Sequence, residues 1–165
     1  LLSRGQKARS ATLVVDMAPF GDVCRSGAEI NPRVARPKRV TGDRSLQISA
    51  VLGEGVIHQL VGDRAVTAAQ LRFLAETNNL PNVMIQVLPY TAGAHGAMIG
   101  SFEILGFPEP IDPDVVYLEN MASALFLEEP EDINRYVQVF DYLRATALSP
   151  QATSDMLAAA AEELA

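Results

Sequence analysis

The sequence predicts an α+β fold: a mixed sheet of four to five strands with packed helices and a C-terminal helical pair. Three features carry this expectation. Short apolar or alternating runs, each closed by glycine, proline or asparagine, recur from residue 46 to residue 129. One stretch of helical spacing separates the first two runs. A long helical period fills residues 130 to 165. Strands and helices in this order build one sheet with helices packed on it.

In "LQISAVL" (46–52), Leu46, Ile48, Ala50 and Leu52 face one way and Gln47, Ser49 and Val51 the other, the period of a strand. Gly53-Glu54-Gly55 interrupts it. "VIHQLV" pairs Val56 with Leu60 and Ile57 with Val61, a turn or two of helix stopped by Gly62. Thr67 and Gln70 stand at capping-box spacing, which predicts a helix over "TAAQLRFLAETNN" with Leu71, Leu74 and Ala75 inward. Asn78-Asn79 and then Pro81 end it. "NVMIQVL" (82–88) is the second strand, with Val83, Ile85 and Val87 on one side. A strand–helix–strand link favours a parallel pairing of these two strands through a right-handed crossover.

"GSFEILGF" and "DVVYLEN" are the third and fourth strands, joined by the proline-set "PEPIDPD". "SALFLEE" is a fifth if Asn120-Met121 turns a hairpin. Pro130 suits a first helical position, and Glu129, Glu131 and Asp132 suit the positive helix terminus. Ile133, Tyr136, Val137, Phe140, Leu143 and Ala147 then keep helical spacing. Ser149-Pro150 restarts a helix with Met156, Leu157, Ala160 and Leu164 inward.

Residues 1–45 differ from the rest, with weak periodicity and breakers at Pro19, Gly21, Pro32, Pro37 and Gly42. Only "TLVV" (12–15) suits a short strand and "GDVCRSGAEI" a short helical turn. The segment is expected to be a basic N-terminal arm or linker, and 46–165 an α+β ligand- or partner-binding domain. Charge divides at the same place. Residues 1–45 hold nine Lys/Arg against four Asp/Glu, and residues 46–165 hold four against sixteen, which together give the net charge of −7. An acidic body repels a phosphate backbone, so 46–165 is a poor nucleic-acid binder by itself. The basic "NPRVARPKRVTGDRS" either touches DNA or a partner, or is a solvated linker.

A lone Cys24 makes no internal disulfide and no zinc site, and "LLSRGQKARS" lacks a secretory h-region, so a cytoplasmic setting is expected. His58 and His95 are too far apart in sequence for short zinc-ligand spacing, and no metal or cofactor is implied. "GEGVIHQLVG" fits neither a phosphate-binding loop nor a dinucleotide fingerprint, and no Gly-x-Ser-x-Gly elbow occurs.

His95, in the glycine-rich loop "PYTAGAHGAM", is either an exposed loop residue or part of a pocket rim. Glu103 and Glu119, with Tyr90 and Tyr117, converge near it if their strands pair, an acid/base-like cluster. Glu54 is either a simple turn carboxylate or, at a strand end beside glycines, a ligand contact. His58, on a short apolar turn, suits a partly buried, satisfied histidine. The candidate ligand-binding set is Glu54, Tyr90, His95, Glu103, Tyr117 and Glu119, with no catalytic residue assigned. The C-terminal helices have only Arg135 and Arg144 as cations, which suits packing or partner binding better than a recognition helix.

The order "PNVMIQVLP…AGAH…FEILGFP…DPDVVYLE", after "LQISAVLGEGVIHQLVG" and "AAQLRFLAE" and before "LEEPEDINRYVQVFDYLRATALSP", resembles a known family over residues 22 to 163. It is similar to the C-terminal domain of unknown function of actinobacterial, antitoxin-like (Scr-type) helix-turn-helix transcriptional regulators. The resemblance implies a domain that senses a small-molecule effector or a small partner protein. DNA would be read by a preceding helix-turn-helix that these 165 residues do not contain. The family's "GLLQT" element is replaced by "VVDMAPFGDVC".

The expected function is therefore a ligand- or protein-sensing or dimerisation domain of such a regulator, with a homodimer compatible and no membrane contact. The alternative is a stand-alone small enzyme, of cyclase or isomerase type, acting on an apolar metabolite in a biosynthetic pathway. A plain oligomerisation domain is the third option.

Overall fold

The computed structural model describes residues 10–15, 46–107, 113–120 and 122–165, with the backbone alone for 10–15 and Ile99. The fold is α+β, built on one six-stranded mixed sheet. In chain order the elements are β1 (Ser10–Val15), β2 (Gln47–Gly53), α1 (Glu54–His58), α2 (Arg64–Thr77), β3 (Val83–Leu88), β4 (Phe102–Gly106), β5 (Val115–Glu119), β6 (Ala124–Leu127), α3 (Pro130–Thr146) and α4 (Pro150–Glu163). Two short 3-10 turns, Tyr90–Ala92 and Gly96–Ile99, lie between β3 and β4.

The strand order is β3-β2-β1-β4-β5-β6. β1, β2 and β3 are mutually parallel, with Ala50 opposite Ile85 and Val51 opposite Gln86, as the strand–helix–strand link predicts. β4, β5 and β6 run antiparallel to their neighbours. The sheet has one strand more than the four to five expected, because "TLVV" forms β1 and sits inside the sheet between β2 and β4. The helical turn expected at "GDVCRSGAEI", the basic stretch before residue 45, Cys24 and most of "PEPIDPD" lie outside the described residues.

Two helix starts differ from expectation. α2 begins at Arg64, with Asp63 as N-cap accepting the N–H of Val66 at 2.8 Å. Thr67, expected as the cap, is buried one turn inside, and its hydroxyl bonds Val61 N and O instead. An aspartate after Gly62, whose φ of +78° turns the chain, caps earlier than the Thr67–Gln70 pair can. α1 begins at Glu54, directly after β2, and ends at His58. The strand ends at Gly53 as expected, but Gly55 lies inside the helical turn, which covers 54–58 and not the expected 56–61, and so ends before Gly62.

α3 covers one face of the sheet. Ile133, Phe140 and Leu143 bury against Val51, Leu88, Phe102, Ile104 and Val116, with Phe102 and Tyr136 ring centroids 4.9 Å apart. Ile57, Leu71, Val87, Leu157, Ala160 and Ala161 form a second cluster where α2 and α4 meet β3. The inward residues expected for α2, α3 and α4 are all buried or half-buried, and Ala68, Val139 and Ala161 join them. Truncating a side chain such as Leu143, fully buried, costs about 2–5 kcal/mol in a core of this kind.

The outer edge of β3 is sealed. Val83 N–H goes to Leu80 O at 3.1 Å, Ile85 N–H to Asn78 Oδ1 at 2.7 Å, and Val87 N–H to Thr153 Oγ1 at 3.0 Å. Ile85 O accepts from Asn78 Nδ2 at 3.1 Å, and Val87 O from Leu148 N at 2.8 Å. Buried Gln86 donates to Leu148 O on the α3–α4 link at 2.8 Å. Side chains and a loop thus stand where another strand would pair.

Candidate functional site

Glu54 enters the site because β2 ends at Gly53 and α1 starts at once. Its side chain, 19% exposed, reaches across to the end of the neighbouring strand β3. There Oε2 accepts the N–H of Tyr90 at 2.6 Å, and Oε1 lies 3.8 Å from His58 Nε2. A hydrogen bond to an ionised acceptor is about twice as strong as a neutral one. The Tyr90 ring folds over Gly55: a Cβ there would lie 3.2 Å from Tyr90 Oη. His58 is more exposed than its apolar surroundings predict, and its imidazole faces Glu54.

From Tyr90 the chain must travel from β3, at the edge, to β4, on the far side of β2 and β1. Residues 89–101 therefore cross the carboxyl ends of those two parallel strands. Crossings of this kind are where open sheets with parallel strands hold ligands. The crossing is docked and not free: Ala97 is buried in the α3 cluster, and a Cβ on Gly96 would sit 3.2 Å from Val139 Cγ1. His95 directly precedes these anchors. Its Nδ1 is buried and has no hydrogen-bond partner among the described residues. A buried polar atom without a partner costs about 1–3 kcal/mol, so this nitrogen is poised to take one.

The other three candidates lie elsewhere. Glu103 and Tyr117 are opposite each other on β4 and β5. By alternation they share the face away from Phe102, Ile104 and Val116, and so away from α3. Tyr117 packs on Phe126, ring centroids 5.0 Å apart. Glu119 ends β5 on that face and is exposed. The structure thus joins Glu54 to Tyr90, places His95 in the same crossing, and sets Glu103, Tyr117 and Glu119 apart as a row on β4–β5.

Among the described residues no group of three or more His, Cys, Asp or Glu is placed to hold a metal ion. The cations of the acidic body are all engaged. Arg64 and Arg72 donate to the α4 C-terminal carbonyls of Glu163 and Ala161, at 2.7 and 3.4 Å, where a helix favours positive charge. Arg135 and Arg144 lie 3.6 and 3.5 Å from Asp132 and Asp141.

The family described as "Domain of unknown function (DUF5753)" matches residues 23–159. The chain belongs to the DUF5753 family. That match runs from before β2 into α4 and includes the Glu54–Tyr90 contact and the whole crossing, so the site lies inside the DUF5753 domain. No curated protein and no solved structure matches the chain. No described helix of this DUF5753 chain is long and apolar enough to cross a membrane.

Sequence inspection passed over Gln86, Thr153 and Phe126. Gln86 carried a usable signal, a polar residue in the apolar strand "NVMIQVL". Thr153 and Phe126 carried none, because their partners, Val87 and Tyr117, are distant or cross-strand.

Proposed function

We propose that this DUF5753 domain is the sensing domain of an antitoxin-like transcriptional regulator. It binds a small-molecule effector or a small partner protein, while a helix-turn-helix outside these residues grips DNA. One observation supports this most: the crossing over β2 and β1, whose start at Tyr90 is held by the Glu54 carboxylate, contains a histidine nitrogen that is buried and unpartnered among the described residues. A ligand that bonds His95 Nδ1 stabilises the docked crossing. It shifts a regulator only through its different affinity for two states of the domain. The engaged arginines of the acidic body support leaving the DNA to another segment.

The test is a thermal-shift screen of metabolites on the purified chain, repeated on His95→Ala. At one hundred times its Kd a ligand adds about 2.7 kcal/mol, a rise of roughly 5–10 °C for a domain of this size. The expected result is a compound that raises Tm in the wild type and not in His95→Ala. Catalytic turnover of such a compound, abolished by a single substitution in the crossing, would replace sensing by catalysis.

A further inference from the structure

The two edges of the sheet are treated differently, and the difference points to a second recognition surface. At β3 the outward main-chain groups of Val83, Ile85 and Val87 are met by Leu80, Asn78, Thr153 and Leu148. At the opposite edge stands β6. Asn120 N–H donates to Ser123 O at 3.0 Å in the β5–β6 hairpin, which fixes the alternation beyond it. Leu125 and Leu127 turn their main-chain groups toward β5, and Ala124 and Phe126 turn theirs outward. Among the described residues nothing receives those outward groups. Leu125 is 53% exposed and Phe126 45%, one on each face of the strand. An open edge carrying large apolar side chains is a template for an added strand.

Charge says which strand. Between Arg72 and Arg135 the sequence has ten Asp/Glu and no Lys or Arg. Glu119 lies opposite Ala124 at one end of β6, exposed Glu128 and Glu129 follow the other end, and Glu131 and Asp132 open α3. A second copy of this chain brings the same carboxylates to within a Debye length of these, which disfavours self-pairing. A basic segment is drawn in. The apolar rows to be extended are Leu118–Leu125 on one face and Tyr117–Phe126 on the other. The added strand therefore needs apolar residues at two neighbouring positions, with cations at its ends.

We propose that β6 is a strand-addition site for a basic, extended segment of a partner protein. This deepens the sensing role proposed above by naming a partner class, and it uses a surface separate from the His95 crossing.

The probe is a blocked peptide, Lys-Arg-Val-Ile-Val-Arg-Lys, titrated into the 15N-labelled chain. The expected result is saturable binding that shifts the Ala124 and Phe126 amides, protects them from exchange and weakens with added salt. Ala124→Pro removes one outward N–H at an edge position that tolerates proline. It should weaken binding by about tenfold, the equivalent of one lost hydrogen bond, while Ala124→Ser keeps wild-type affinity. Phe126→Lys and Glu128→Lys should weaken it also, and they carry the test if the proline variant fails to fold. Three results would overturn the proposal: no change at the β6 amides, equal binding of the acidic analogue Glu-Asp-Val-Ile-Val-Asp-Glu, or a self-dimer in sedimentation that Ala124→Pro dissolves. A peptide that fails while a metabolite still acts through His95 removes the edge site and leaves the sensing role in place.

Discussion

The side chain of Asn78 binds both main-chain groups of Ile85, accepting its N–H at 2.7 Å and donating to its C=O at 3.1 Å. The same amide nitrogen reaches Pro150 O and Ser154 Oγ, each at 3.1 Å. One residue at the end of α2 thereby ties the edge of the sheet to the start of α4.

Asn78→Ala should be more costly than its half-buried surface position suggests, because it leaves Ile85 N–H and C=O without partners in a covered place. The expected loss is about 2–3 kcal/mol, read as a lower urea midpoint with an unchanged m-value. Asn78→Asp keeps the acceptor and loses the donors, so it should not restore stability.

Thr153→Val tests the same edge with almost no change of shape. The hydroxyl is fully buried and accepts Val87 N–H at 3.0 Å. Its removal should cost about 1–3 kcal/mol and speed hydrogen exchange at Val87, while Thr153→Ser keeps the bond and the slow exchange.

Two glycines of the crossing should respond for opposite reasons. Gly93 has φ +71° and ψ −151°, and a Cβ there meets nothing within 4 Å. Gly93→Ala therefore costs backbone strain alone, of order 1–3 kcal/mol. Gly96 has ordinary φ, and its added Cβ would come closest to Val139 Cγ1 and Cγ2, at 3.2 and 3.4 Å. Gly96→Ala should be nearly neutral once Val139 is also made Ala, whereas the Gly93→Ala loss should persist in the Val139→Ala background. Paired thermal melts of the three single and two double variants measure both.

Glu54→Gln should loosen the start of the crossing without unfolding the domain. Replacing the carboxylate oxygen that holds Tyr90 N–H at 2.6 Å by an amide oxygen is worth about 1 kcal/mol. Faster exchange at the Tyr90 amide with an almost unchanged global Tm is the expected pattern; unchanged Tyr90 exchange would show that the contact does not hold the crossing.

Much of this fold was legible because its signals are local. The Ser149-Pro150 restart marks α4, where Ser149 caps Ala152 N–H at 3.2 Å, and Pro130 marks α3. Asn120 turns the β5–β6 hairpin, its Oδ1 accepting from Ala122 and Ser123. The Thr67 cap failed because two local signals compete there, and Asp63 after Gly62 prevails. The candidate site was legible in part. Glu54 and Tyr90 each follow the end of a strand, but their contact depends on β2 and β3 being neighbours in register.

By itself the sequence determined which segments are strands and helices, which side of each is apolar, and where acid and base segregate, since period, capping and charge are properties of neighbouring residues. Tertiary structure alone decided that β1 lies inside the sheet, that the crossing passes over β2 and β1, and that Glu103 and Tyr117 lie on the face away from α3. Strand order and register are chosen by contacts between residues far apart in the chain, and no local pattern encodes which distant partner a strand edge will meet.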